Sequence, residues 1–163
     1  DIGEILSNGA VKIIDRKKNL IKLSQGEYVA VEYLEKIYGI TPIVEDLWIH
    51  GDSFKSQLVA VVVPNEENTK KWAEQNGYTG SFQKLCSLSQ LKPHILLELK
   101  STAERNKLRG FEQIRGVIIE PELFESPEKE LVTATLKKRR DRFLKRYKAE
   151  INTLYQKLAE AKS

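Results

Sequence analysis

The stretch QLVAVVVP, Gln57 to Pro64, decides the fold. Its run LVAVVV, Leu58 to Val63, has no polar position on either alternating face, so it reads as a strand at the centre of a sheet and covered on both sides, with Pro64 ending it. Such a strand needs partners beside it and layers above and below it. Leu47 to His50 supplies one neighbouring strand signal and Ile114 to Glu120 another. Val29 to Tyr38 predicts a helix with Val31, Leu34, Ile37 and Tyr38 on its apolar face and Gly39 as its stop. Asn65 can cap a helix running through Gln75, with Gly77 as its stop and Trp72 as its anchor in the core. Pro93 suits the first position of a helix whose face is Ile95, Leu96, Leu99 and Ala103, closed by Gly110. From Lys137 to the C-terminus, Phe143, Tyr147, Ile151, Leu154, Tyr155 and Leu158 recur at three- and four-residue steps, which predicts a long amphipathic helix; Pro121 to Thr135 is a loop. Val11 to Ile14 and Leu20 to Leu23, on either side of the charged DRKKN, predict a hairpin. The class is α+β: an N-terminal β-hairpin, a small sheet of about three strands flanked by helices, and a long basic C-terminal helix.

A chain of 163 residues, 40% hydrophobic and 31% charged, suits one domain with its own core. No apolar run approaches the roughly 20 residues of a membrane span, and no signal-peptide pattern opens the chain, so neither insertion nor secretion is encoded here. One cysteine, Cys86, allows no internal disulfide; a reducing compartment is expected, and Cys86 reads as a buried small residue. Two distant histidines, His50 and His94, predict no zinc site. The opening DIGEILSNG, without an initiator methionine, reads as the middle of a structure, so the chain is expected to be part of a longer protein.

The net charge of +4 is unevenly placed. Lys137, Lys138, Arg139, Arg140, Arg142, Lys145, Arg146 and Lys148 stand against Asp141 alone, a density that attracts phosphate. Most of these side chains read as the solvated face of a helix. The stretch Thr133 to Lys137 differs, because it precedes the helical pattern and a lysine on a loop can reach into a site. Arg16, Lys17 and Lys18 form a second basic group at the DRKKN turn, where a guanidinium can donate several bonds to a ribose or phosphate, or simply keep the turn soluble. Ser24-Gln25-Gly26 is a common turn whose free backbone N–H groups could meet an extended ligand. The alternative function is a phosphate- or nucleic-acid-binding module using residues 137–148. Phe143, Tyr147 and Tyr155 argue against it, since they fall on the apolar stripe of the helix and not among its basic residues.

Together these pieces resemble the C-terminal domain of the adenylate-forming enzymes, and within them the long-chain acyl-CoA synthetases of eukaryotes. IIDRKKNLIKLSQGEYVAVEYLE, Ile13 to Glu35, carries the resemblance most specifically; DIGE at the start and LVTATLKKRR, Leu131 to Arg140, are two further motifs in the expected order. The resemblance implies a long-chain fatty acid–CoA ligase, which joins a carboxylate to ATP and then exchanges AMP for the thiol of coenzyme A. It implies that residues 1–163 are the mobile C-terminal domain, with a hinge at about 15–19, and that a large N-terminal domain holds fatty acid, ATP and Mg²⁺. By position, Asp1 and Arg16 match ribose-binding residues, and Lys18 falls on the hinge, where the family places Asp or Lys. Ser24, Gln25 and Gly26 fall on the loop that approaches coenzyme A, and Lys137 matches the adenylation lysine. Ala134 stands where relatives often carry proline, and Lys138 where they carry leucine. The register therefore rests on Leu131, Thr133, Thr135 and Arg140, and a slip by one would make Lys138 the candidate. The implied partners are the chain's own N-terminal domain and the small substrates, with no nucleic acid. The implied location is intracellular, on the cytoplasmic side of the endoplasmic reticulum or peroxisome membrane, although membrane attachment is not encoded in this chain. The isolated chain is expected to be inactive.

Overall fold

The computed structural model describes residues 20–135 and 137–162. Asp1, Arg16, Lys18, the hinge at 15–19 and the strand expected at Val11 to Ile14 lie outside the described residues.

The central strand is where the sequence put it. β4 (Leu58–Pro64) lies between β3 (Val44–His50), antiparallel to it, and β5 (Ile114–Ile119), parallel to it. Every residue of β4 is buried. Its alternation sorts the core into two layers: Leu58, Ala60 and Val62 face one side with Leu47 and Ile49, while Val59, Val61 and Val63 face the other with Trp48 and Ile118. Pro64 is the last strand residue, a position where its missing N–H costs the ladder nothing in its interior.

The first side is covered by α1 (Val31–Tyr38), α2 (Glu66–Gln75), α3 (Phe82–Cys86) and α4 (Leu91–Arg105). The second is covered by α5 (Arg140–Lys162), whose Phe143, Tyr147, Ile151 and Tyr155 are buried against the sheet. Phe143 stacks on Trp48 at 5.1 Å and meets Phe124 edge-on at 4.8 Å. Gly116 in β5 lets α5 come close, since a Cβ there would lie 2.9 Å from Leu154. Trp48 and Trp72 are both core residues, the latter as expected.

Several boundaries differ from the sequence reading, four of them for a clear local reason. Val29 and Ala30 do not belong to α1: with Tyr28 they form β2 (Tyr28–Ala30), antiparallel to β1 (Leu20–Lys22), with Ile21 opposite Val29. The second arm of the expected hairpin therefore pairs forward through Ser24–Gly26. Pro93 is the third residue of α4, where its absent N–H is still one of the helix's unpaired first-turn donors. Gly110 does not close that helix. Lys107 takes the left-handed conformation, φ 56°, and the N–H groups of Lys107 and Leu108 return to Glu104 and Ala103 in a Schellman closure, so Gly110 is left to open a 3₁₀ turn (Gly110–Glu112). Lastly, α5 starts at Arg140 and not at Lys137, because Val132 bridges Lys138 and the Arg139 N–H donates to the Leu131 carbonyl, keeping the approach extended. Asn65 caps α2 as predicted, accepting the Asn68 N–H at 2.9 Å, and Gly77, φ 78°, closes it. The short α3, capped by Ser81, was not foreseen.

Candidate functional site

The candidate residues fall at opposite ends of the β3–β4 ladder. At one end, Ser24, Gln25 and Gly26 form the turn between β1 and β2. Gly26 sits at φ 95°, a conformation that favours glycine. The turn rests on the β3–β4 connection: Ser24 N–H donates to the Lys55 carbonyl at 3.0 Å, and the Gln25 side-chain amide to the Ser56 carbonyl at 3.4 Å. Beside it opens a cavity of about 460 Å³ lined by Gln25, Ser56, Gln57, Gly110, Phe111, Gln113 and Arg115. Three amides, a guanidinium and a ring offer hydrogen bonds and one positive charge to an extended polar ligand, and no carboxylate among the lining residues opposes an anion. Sequence reasoning found Gln25 here and missed the rest, which reach the site only through the sheet.

At the other end, residues 131–135 and 137–139 lie against one another. The Thr133 N–H donates to the Lys137 carbonyl at 2.9 Å, and the Lys137 N–H to the Thr133 hydroxyl at 3.1 Å; Thr133 and Thr135 share a hydroxyl contact at 3.1 Å. Lys137 stands exposed on this loop, and among the described residues no partner holds its ammonium. Its neighbours are occupied. Lys138 lies 3.3 Å from Asp46, and Arg140 makes a forked contact with Glu35 at 2.7 and 3.1 Å. Asp46, which meets Lys138, stands early in β3, while Arg140 reaches through Glu35 to the Ile49 N–H near the end of the same strand.

His50 closes β3, with Asp52 3.6 Å away; burial pushes its pKa down and outweighs the carboxylate. On α5, Tyr147 donates to Glu120 at 2.6 Å, and Lys129 lies 3.3 Å from the same oxygen. Burial opposes the Glu120 charge, but these partners and the Glu122 N–H outweigh it and lower its pKa. The half-buried Cys86 thiol is pushed up to about 11 by burial and by the charges of Glu120 and Glu66, so it stays a thiol at neutral pH.

The basic stretch is partly neutralised: besides Lys138 and Arg140, Arg142 pairs with Glu130 at 3.0 Å. Phe143, Tyr147 and Tyr155 are buried and offer no ring face for a base. Among the described residues, no group of His, Cys, Asp and Glu is arranged to hold a metal ion, and no helix is long and apolar enough to cross a membrane.

No family model matches the chain. Among solved structures, the A domain of carboxylic acid reductase from Segniliparus rugosus, in complex with AMP and a co-purified carboxylic acid, shares the fold with a TM-score of 0.74 at 32% identity, covering 88% of this chain and 20% of that one. The chain thus has the sequence and fold of the adenylate-forming superfamily. Curated relatives narrow this further. Long chain acyl-CoA synthetase 1 of Arabidopsis thaliana is 60% identical over 162 residues, 99% of this chain and 24% of that protein; Long chain acyl-CoA synthetase 5 of the same plant is 46% identical over 161 residues, again 99% and 24%. The chain thus matches long-chain acyl-CoA synthetases along nearly its whole length, and it spans about a quarter of the length of these relatives.

Proposed function

We propose that the chain is the mobile C-terminal domain of a long-chain fatty acid–CoA ligase, inactive by itself and completed by a large N-terminal domain that holds the fatty acid, ATP and Mg²⁺. In the first half-reaction a carboxylate oxygen attacks the α-phosphorus of ATP and pyrophosphate leaves. In the second, the thiol sulfur of coenzyme A attacks the acyl carbon, AMP leaves and the thiol proton is given up. Lys137 serves the first step, where two anions approach and a cation placed between them lowers the barrier most as charge develops. Ser24, Gln25 and Gly26 serve the second, with the adjoining cavity receiving the polar part of coenzyme A. Asp1 and Arg16 complete the ribose contacts.

The observation that carries this reading is the placement on one packed body of an exposed lysine, unpaired among the described residues, and an open glycine turn beside a polar cavity. On this reading the two groups serve different steps, and the body turns between them about a pivot at Lys18. Proline there removes φ freedom. In the full-length enzyme, Lys18→Pro is expected to spare pyrophosphate release and stop thioester formation; equal loss of both would count against the pivot. The reading places the enzyme inside the cell, at the cytoplasmic face of an internal membrane. The nucleic-acid alternative is left with no exposed aromatic on its helix.

A further inference from the structure

We infer that Glu35 and Arg140 are positioning residues for adenylation, a partly buried ion pair that fixes the main chain from which Lys137 reaches; the inference rests on the reading of Lys137 given above. Glu35 lies on the inward face of α1, among Val31, Leu34 and Tyr38, where an apolar residue would pack at lower cost. Its carboxylate is held on two sides. One oxygen accepts the Ile49 N–H of β3 at 2.8 Å, and both accept the Arg140 fork at 2.7 and 3.1 Å. A forked guanidinium fixes direction as well as distance. The pair therefore ties three elements, α1, β3 and the first residue of α5, at one point. Three residues before that point stands Lys137. The intervening residues are also pinned, Arg139 by its N–H on the Leu131 carbonyl and Lys138 by Asp46. The lysine's backbone is thus clamped, and only its flexible stem is free to move. The same arrangement links the two ends of the domain: α1 follows directly from β2, so the turn at Ser24–Gly26 and the lysine loop belong to one packed unit.

The test uses the full-length enzyme containing this chain, with pyrophosphate exchange reporting adenylation and a supplied acyl-adenylate reporting thioester formation. Glu35→Gln keeps the shape and removes the charge. It is expected to lower the adenylation kcat by about 10- to 10²-fold, the scale of a misplaced catalytic group, with KM for ATP and the thioester step unchanged. Arg140→Lys, which keeps the charge and loses the fork, is expected to give a smaller loss of the same kind and covers the case in which Glu35→Gln fails to fold. The decisive comparison is Glu35→Gln in a Lys137→Ala background, where it is expected to add less than about twofold, because positioning an absent group is worth nothing. A parallel fall in both half-reactions, or an undiminished effect without Lys137, overturns the inference. If Lys137→Ala cripples adenylation while both Glu35→Gln and Arg140→Lys are harmless, only the positioning role is lost. If Lys137→Ala is itself harmless, the reading beneath it is lost as well.

Discussion

At the Asp46 end of the β3–β4 ladder ion pairs are added to the backbone hydrogen bonds that hold the chain, whereas at the Gly51 end the Ser24–Gly26 turn is held by backbone amides and one side-chain amide and by no ion pair among the described residues. The lysine loop is anchored through Lys138 to Asp46 and through Arg140 to Glu35, so its position depends in part on side chains brought in from two other elements. The turn at Ser24–Gly26 is anchored by Ser24 N–H and Gly26 N–H, and it depends on the shape of its own backbone. On the proposed reading, the pairing of Lys138 and Arg140 sets Lys137 apart from the cations beside it. An end that receives a long polar ligand needs an open backbone with few side chains in the way.

The largest expected effect tests the charged end. Lys137→Ala in the full-length enzyme is expected to slow adenylation by roughly 10²- to 10³-fold, the scale for removing one charge-stabilising donor, and to leave thioester formation from acyl-adenylate nearly unchanged. Half-reaction kinetics read this directly, and a loss confined to the thioester step would reverse the roles of the two ends. Next in size is the backbone end. A Cβ at Gly26 meets no atom within 4 Å, so Gly26→Ala carries only the left-handed penalty, about 1–2 kcal/mol, seen as a lower Tm of the chain together with slower thioester formation. A much larger fall in Tm would mean that the turn is held by contacts and not by its conformation.

Lys138→Ala sharpens the contrast between neighbouring lysines. It removes a partly exposed ion pair worth about 0.2–1 kcal/mol and is expected to change adenylation far less than Lys137→Ala. If it proves the crippling change, the register is off by one. The smallest effect concerns pH. The folded state depresses the His50 pKa, so the unfolded chain binds more protons below about 6.5, and stability is full above that value and declines as pH falls. Thermal unfolding between pH 7.5 and 5.5 is expected to show this slope, and His50→Asn to flatten it. Glu120, also depressed, acts in the same direction but at lower pH.

What the sequence disclosed follows from how local each cause is. β4 was legible because burial on both faces leaves a run of apolar residues that nothing else explains. Asn65 and Gly77 were legible because a cap acts within three or four residues. The end of α4 was not, since the left-handed position is taken by Lys107, a residue type that carries no such signal, and Gly110 drew the boundary to itself. β2 was absorbed into the helical pattern because Val29 and Val31 suit either period. At the candidate site, Lys137 and the Ser24–Gly26 turn were proposed by resemblance alone. The ion pairs that distinguish Lys138 and Arg140 from Lys137 involve Asp46 and Glu35, the latter 105 residues from Arg140, and neither carries a local mark.

The two-sided burial of β4 has a practical consequence for watching this domain. It leaves one indole in each layer, Trp48 stacked on Phe143 beneath α5 and Trp72 stacked on His94 among the helices opposite. Replacing either by phenylalanine gives a chain with a single emitter that reports one layer only. Fluorescence could then tell whether the long helix peels from the sheet before, after or together with the helices on the other face.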